Sequence, residues 1–191
     1  PLDLPLPDKN EQDSLPVAIY TGGLTESKGL DMLKCIIKEA ADRQLKLRFV
    51  IVGYPTDELD RYLHKHGLKN CEIAGRIAFS ELPEYLREAH LCIEPKSAET
   101  SEASGKLLNY MASGRPTVCF DTPNNRKILG ESGYFAKEAK ASSFVDQLEV
   151  TLDDGDAAWQ RGLRAREIIR KQFSWPASAQ RIMSRYNALL A

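Results

Sequence analysis

Short apolar runs alternate with stretches of helical spacing along nearly the whole chain. The first run, 16–21, ends at Gly22-Gly23, and 27–44 then sets Leu30, Leu33, Ile36, Ile37 and Ala40 on one helical face. A second strand is predicted at 46–53, followed by an amphipathic helix over 57–66 on Leu59 and Leu63, with Gly67 as its stop. A third strand at 71–74 leads to a helix over 80–89 that turns Leu82, Tyr85 and Leu86 inward. The fourth strand, 91–94, gives way to a polar loop and a helix near 107–112. A strand at 117–121, a short helix around 125–129 and a sixth strand at 133–136 complete the alternation. Helices are predicted at 144–152, 157–172 and 176–190. Residues 1–14, Pro- and Asp-rich without a period, read as a linker or tail, which leaves 15–191 as one domain.

Strands that alternate with helices predict βαβ units and a mostly parallel sheet. The expected fold class is therefore α/β, a doubly wound six-stranded Rossmann-like sheet with helices on both faces and extra helices at the C-terminus. For six strands the commonest nucleotide-binding order is 3-2-1-4-5-6, which sets strands 1 and 4 side by side where the winding reverses. A crevice there is walled by the loops leaving those two strands, 22–28 and 95–106.

Composition narrows the function classes. The 191 residues carry 26 Lys and Arg against 27 Asp and Glu, so a nucleic acid or an acidic membrane has no general electrostatic attraction for the chain, and anion binding has to be local. No run approaches the about 20 consecutive apolar residues of a membrane span, and the first residues lack a signal-peptide pattern. The four cysteines, Cys35, Cys71, Cys92 and Cys119, show no Cys-x-x-Cys spacing. Three fall in predicted strands and one on the apolar face of a helix, where thiols act as small hydrophobes, as expected of reduced cysteines in a cytoplasmic protein. With three histidines, two of them (His64 and His66) on a charged helix, no metal site is expected.

Both crevice loops carry phosphate-binding chemistry. In Tyr20-Thr-Gly-Gly-Leu-Thr-Glu-Ser-Lys-Gly-Leu, the glycines Gly22 and Gly23 allow close backbone approach, while a helix N-terminus and Lys28 supply positive charge. The spacing is neither a Walker P-loop nor Gly-x-Gly-x-x-Gly, so NAD is disfavoured. A tight turn with a solvated lysine is the competing reading. In the second loop Ser104, Gly105 and Lys106 stand where a helix begins, a natural anion site.

The run His90–Arg126 resembles the donor-binding segment of retaining glycosyltransferases of the two-Rossmann-domain (GT-B) kind, family 4 in particular. Tyr110-Met-Ala-Ser-Gly-Arg-Pro116 is similar to that family's Met-Ala-x-Gly-x-Pro run, and Lys28-Gly29 matches its Lys-Gly. The family's Arg in the first loop is replaced by Gly23. Its Glu-x7-Glu pair falls on Ser101 and Asn109, so neither carboxylate is present. Glu94 and Glu102 have the same interval but lie seven residues out of register, a pairing attributed to chance.

The resemblance implies a sugar-nucleotide-binding domain that works with a separate N-terminal acceptor domain, which the chain lacks. It implies transfer of a hexose from a nucleoside-diphosphate sugar to a saccharide or lipid-linked acceptor, without a metal ion or other cofactor. Lys28 and Lys106 would hold the diphosphate and assist its departure. Gly22, Gly23, Ser104, Gly105 and Leu107 would line it, and Asn109 would bond the ribose. Ser101 with neighbouring Glu102 would face the sugar, and Arg76, in Gly75-Arg76-Ile77, the base. For Arg76 a carboxylate of its own domain is the competing partner, and for Asn109 it is open solvent.

Asp121 and Asn125 are expected to order the turn after strand 5. The final helix, with Ile182, Tyr186 and Leu189, resembles the one that crosses back to the partner domain in this family. Through that domain the resemblance allows a peripheral place at the inner face of the membrane. Two other readings remain: a sugar-nucleotide epimerase of the same architecture, and a non-catalytic binding module of related fold.

Overall fold

β1 (Val17–Gly23), β2 (Arg48–Tyr54), β3 (Cys71–Gly75), β4 (Leu91–Glu94), β5 (Thr117–Phe120) and β6 (Gly133–Ala136) form a parallel sheet in the order β3-β2-β1-β4-β5-β6 in the computed structural model, which describes residues 15–96 and 104–190. The winding reverses between β1 and β4, where Ala18 pairs with Leu91 and Ile19 with Cys92. This is the predicted doubly wound order.

Strand residues alternate between two cores because successive side chains point to opposite faces. Ala18, Tyr20, Phe49, Ile51, Ile93 and Phe120 point to one side, covered by α1 (Leu30–Asp42), α2 (Asp57–His66) and α6 (Ala141–Asp153). Val17, Ile19, Val50, Val52, Cys92 and Cys119 point to the other, under α3 (Leu82–Glu88), α4 (Gly105–Ser113) and α7 (Asp156–Ile168). The short α5 (Pro123–Leu129) follows β5. Thr122 caps it, its Oγ1 accepting from Asn125 N at 3.1 Å, while Asn125 Nδ2 donates to the Phe120 carbonyl at 2.9 Å and Arg126 grips Asp121 at 2.6 and 2.7 Å. Both residues expected to order this turn do so.

Two details depart from the sequence reading. The helix expected from residue 27 is broken into a 3-10 turn, Glu26–Lys28, and α1, with left-handed Gly29 between them. Cys35 is exposed rather than on the apolar face of α1, because two residues beyond Leu33 is about 200° round a helix. The last helix, α8 (Trp175–Leu190), buries none of its residues against this domain. Trp175 is 84 % exposed, and Ile182, Met183, Tyr186 and Leu189 are exposed along with it. No helix among the described residues is long and apolar enough to cross a membrane.

Candidate functional site

The loops leaving β1 and β4 meet. Gly29 holds φ at 89°, and a Cβ there would stand 3.0 Å from the Pro95 carbonyl oxygen and 3.1 Å from Lys96 N, so only glycine lets the two loops pack this closely. The turn after β1 is closed by Tyr20, whose hydroxyl donates to the Gly23 carbonyl at 2.7 Å. Below it, Thr21 N donates to the Tyr110 hydroxyl at 2.8 Å and ties α4 to β1.

A cavity of about 440 Å³ opens between these loops. Thr21, Gly22, Gly23, Lys28, Lys96, Ser104, Gly105, Lys106 and Asn109 form its polar wall, while Val52, Ile77, Phe79 and Leu82 form an apolar one. Ser104 stands at the N-cap position of α4, whose first residues, Gly105 and Lys106, line the cavity and set the positive end of the helix dipole against it. Lys106 and Asn109, three residues apart, share the helix face that lines it.

Behind the polar wall lies Glu94, the last residue of β4 and 1 % exposed. Its Oε1 accepts from Lys106 Nζ at 3.3 Å and from Lys96 N at 3.2 Å, and its Oε2 accepts from the Ser104 hydroxyl. Lys106 also stands over the Tyr20 ring, 4.2 Å from its centroid, and presses against Gly22, where a Cβ would meet its Cε at 3.2 Å. Burial pulls the Lys106 ammonium below its ordinary pKa; Glu94 opposes that pull, and Lys28 and Lys96 add to it. Burial, with the Glu94 charge, pushes the Tyr20 phenol far up, so it remains a neutral donor.

Most of the residues singled out from the sequence meet here: Gly22, Gly23, Lys28, Ser104, Gly105, Lys106 and Asn109 share one cavity, and Asn109 faces it rather than open solvent. Two do not. Arg76 is exposed and outside the cavity wall, because the loop after β3 sets Ile77 and Phe79 along the cavity instead. Leu107 is fully buried in the core beneath α4, since one residue beyond Lys106 is about 100° round the helix; its backbone N–H bonds to Ser104 O at 3.2 Å. Ser101 and Glu102 lie outside the described residues. Glu94, whose interval to Glu102 reads as chance in the sequence, stands directly behind the site and bonds to Ser104 and Lys106 of its wall. Lys96 and Phe79 were also missed, although Lys96, two residues past β4 at the predicted switch point, carried a positional signal. Among the described residues no group of three His, Cys, Asp or Glu could hold a metal ion.

Fold and site together define a doubly wound α/β domain with a lysine-lined crevice at its topological switch point. Residues 15–154 match the family described as glycosyl transferases group 1, and the chain belongs to that family. It is 22 % identical over 182 residues to the alpha-D-kanosaminyltransferase of Streptomyces kanamyceticus, covering 93 % of this chain and 47 % of that protein. The chain spans about half the length of the curated relatives it matches. Among solved structures, a point mutant of S. aureus TarM in complex with fondaparinux, alpha-GlcNAc-glycerol and UDP superposes with a TM-score of 0.79 at 18 % identity, over 96 % of this chain and 38 % of that one. The C-terminal domain of a glycosyl transferase group 1 protein (LpcC) from Francisella tularensis superposes with a TM-score of 0.72 at 18 % identity, over 91 % of this chain and 98 % of that domain. The fold is that of the C-terminal domain of a GT-B glycosyltransferase.

Proposed function

We propose that this chain is the donor-binding half of a retaining glycosyltransferase that moves a hexose from a nucleoside-diphosphate sugar to a saccharide or lipid-linked acceptor. One observation carries the reading: lysines from two distant segments and the N-terminus of α4 converge on one cavity that is also lined by the apolar residues Val52, Ile77, Phe79 and Leu82. A nucleoside diphosphate has the matching division, an anionic pyrophosphate at one end and a flat, weakly polar base at the other. The presence of UDP in the TarM complex supports this choice of ligand class.

In this arrangement the pyrophosphate lies along Gly22 and Gly23, where the backbone can approach closely, and receives hydrogen bonds from Lys28, Lys106 and the first turn of α4. Asn109 bonds the ribose, and the base stacks toward Phe79, which is 67 % exposed at the cavity's lip. As the sugar–phosphate bond breaks, charge grows on the leaving diphosphate. The same lysines and helix dipole stabilise it in place, a role that calls for no metal ion or other cofactor. Attack on the same face, assisted by the leaving phosphate, retains the anomeric configuration and needs no protein nucleophile.

The acceptor belongs to an N-terminal half, against which the exposed apolar face of α8 would pack and which would carry any peripheral membrane association. Transfer requires both reactants in register, so the 191-residue chain by itself binds nucleotide and transfers nothing. Calorimetry with UDP, GDP and their sugars tests the reading. The chain is expected to bind at least one of them, and Lys28→Ala to weaken it about tenfold. If no nucleotide gives heat at millimolar concentration and Lys28→Ala is indistinguishable from the wild type, the chain is a non-catalytic scaffold. A measurable transfer rate from the chain alone would contradict the division of labour.

A further inference from the structure

A carboxylate buried as deeply as Glu94 is costly unless its oxygens are satisfied, and the sheet offers apolar residues at neighbouring positions. Its three partners among the described residues are not equivalent. The Ser104 hydroxyl and the Lys96 backbone N–H are fixed by the start of α4 and the end of β4. Lys106 makes the longest contact, 3.3 Å, its side chain remains 12 % exposed, and it lines the cavity. It is the partner able to leave. Lys28, Lys96 and Lys106 share one cavity wall, so when no phosphate is bound their mutual repulsion is offset by the Glu94 charge beneath them.

We propose that Glu94 is an internal counter-anion: it holds the Lys106 ammonium while the cleft has no phosphate, and yields it to the donor's diphosphate on binding. The idea rests on the diphosphate reading of the cleft. Binding is then an exchange of one anion for another at Lys106, and Glu94 acts as a positioning residue that never touches the reacting atoms. Stability without ligand and affinity for ligand are set against each other. Removing the Glu94 charge takes away the anion beneath the lysine wall and weakens the ligand-free fold, while the incoming diphosphate no longer competes for Lys106. A residue with a purely structural role would lower both quantities together.

The test is Glu94→Gln in this chain, whose amide oxygen can still accept from the Lys96 N–H while its amide nitrogen donates to the Ser104 hydroxyl oxygen. Thermal unfolding without ligand and calorimetry with UDP and inorganic pyrophosphate are measured on the wild type, Glu94→Gln, Lys106→Met and the double variant. The expected result is a Tm lower by about 3 °C and an affinity about tenfold higher for Glu94→Gln, with the affinity gain absent when Lys106 is already Met. An affinity that is unchanged or weaker in Glu94→Gln overturns the exchange, as does a gain that persists in the double variant. Wild type that binds neither probe overturns the cleft reading as well, so the two failures are told apart. Should Glu94→Gln not fold, Glu94→Asp keeps the charge but draws it back from Lys106; it must show a smaller gain of the same sign, and no gain overturns the proposal.

Discussion

At the base of the sheet, beside the first residues of β5, Arg115 is 2 % exposed; at the mouth, beside the last residue of β4, Lys106 is 12 % exposed. Both are cations taken out of water, and the surroundings of each fit its chemistry. The Arg115 guanidinium donates to the carbonyls of Leu86 and Arg87 at the C-terminal end of α3, with the Leu86 contact at 3.2 Å, and lies 5.3 Å from the centre of the Trp159 ring. A planar fork with five donors suits a helix end whose carbonyls lack partners. Lys106 meets a carboxylate, an aromatic face and a cavity. The base commits its cation to the protein's own backbone; the mouth keeps one where a ligand can reach it.

The comparison predicts that substitutions at the two ends fail in different measurements. The largest effect belongs to Arg115→Met. It leaves the Leu86 and Arg87 carbonyls without a buried donor and is expected to cost about 3 kcal/mol of unfolding free energy in urea titration. The nucleotide affinity of the fraction that remains folded should be unchanged. A stable Arg115→Met variant with weakened nucleotide binding would erase the distinction between base and mouth.

Phe79→Ala sharpens the comparison from the other side. Phe79 is exposed at the lip of the cavity and packs into neither core, so its removal should leave the unfolding midpoint in place. Loss of base stacking is expected to weaken UDP or GDP binding by about 1 kcal/mol, read by calorimetry, and to leave pyrophosphate binding untouched. Equal losses for nucleotide and pyrophosphate would remove the base from that wall.

The contrast also marks what the sequence could and could not disclose. Alternating apolar runs and helical spacing specified the six strands and the doubly wound order, and with it the pair of loops that meet. Lys28, Ser104 and Lys106 were legible because lysines and small residues at helix starts carry a physical signal of their own. Glu94 was not. A lone acid at the end of an apolar strand acquires meaning only when the chain returns and sets Lys106 over it. Arg76 and Leu107 failed for a reason of phase: a single residue along a loop or a helix decides between cavity, core and solvent, and spacing locates the segment more sharply than the side chain. Arg115 likewise reads as a polar residue between helix and strand until α3 is seen to end against it.

The smallest expected effect lies at the base, in His90. Its Nδ1 accepts from Val17 N at 3.1 Å, so this nitrogen must be unprotonated. Burial and the positive charge of Arg115 hold the His90 pKa below its ordinary value. The unfolded chain therefore takes up the proton first as pH falls. The stability that neutral His90 contributes is complete above the unfolded-state value of about 6.5 and declines as pH drops below it. Because the ring is only partly buried, the decline should stay well under about 1 kcal/mol. Urea titrations at a series of pH values from neutral to mildly acidic should show this slope in the wild type and a flatter one in His90→Gln, whose amide oxygen can still accept from Val17. The same series carried out on Lys28→Ala should retain the wild-type slope, since Lys28 lines the cavity at the mouth. An identical slope in His90→Gln and wild type would mean that the acid sensitivity arises elsewhere than at the base.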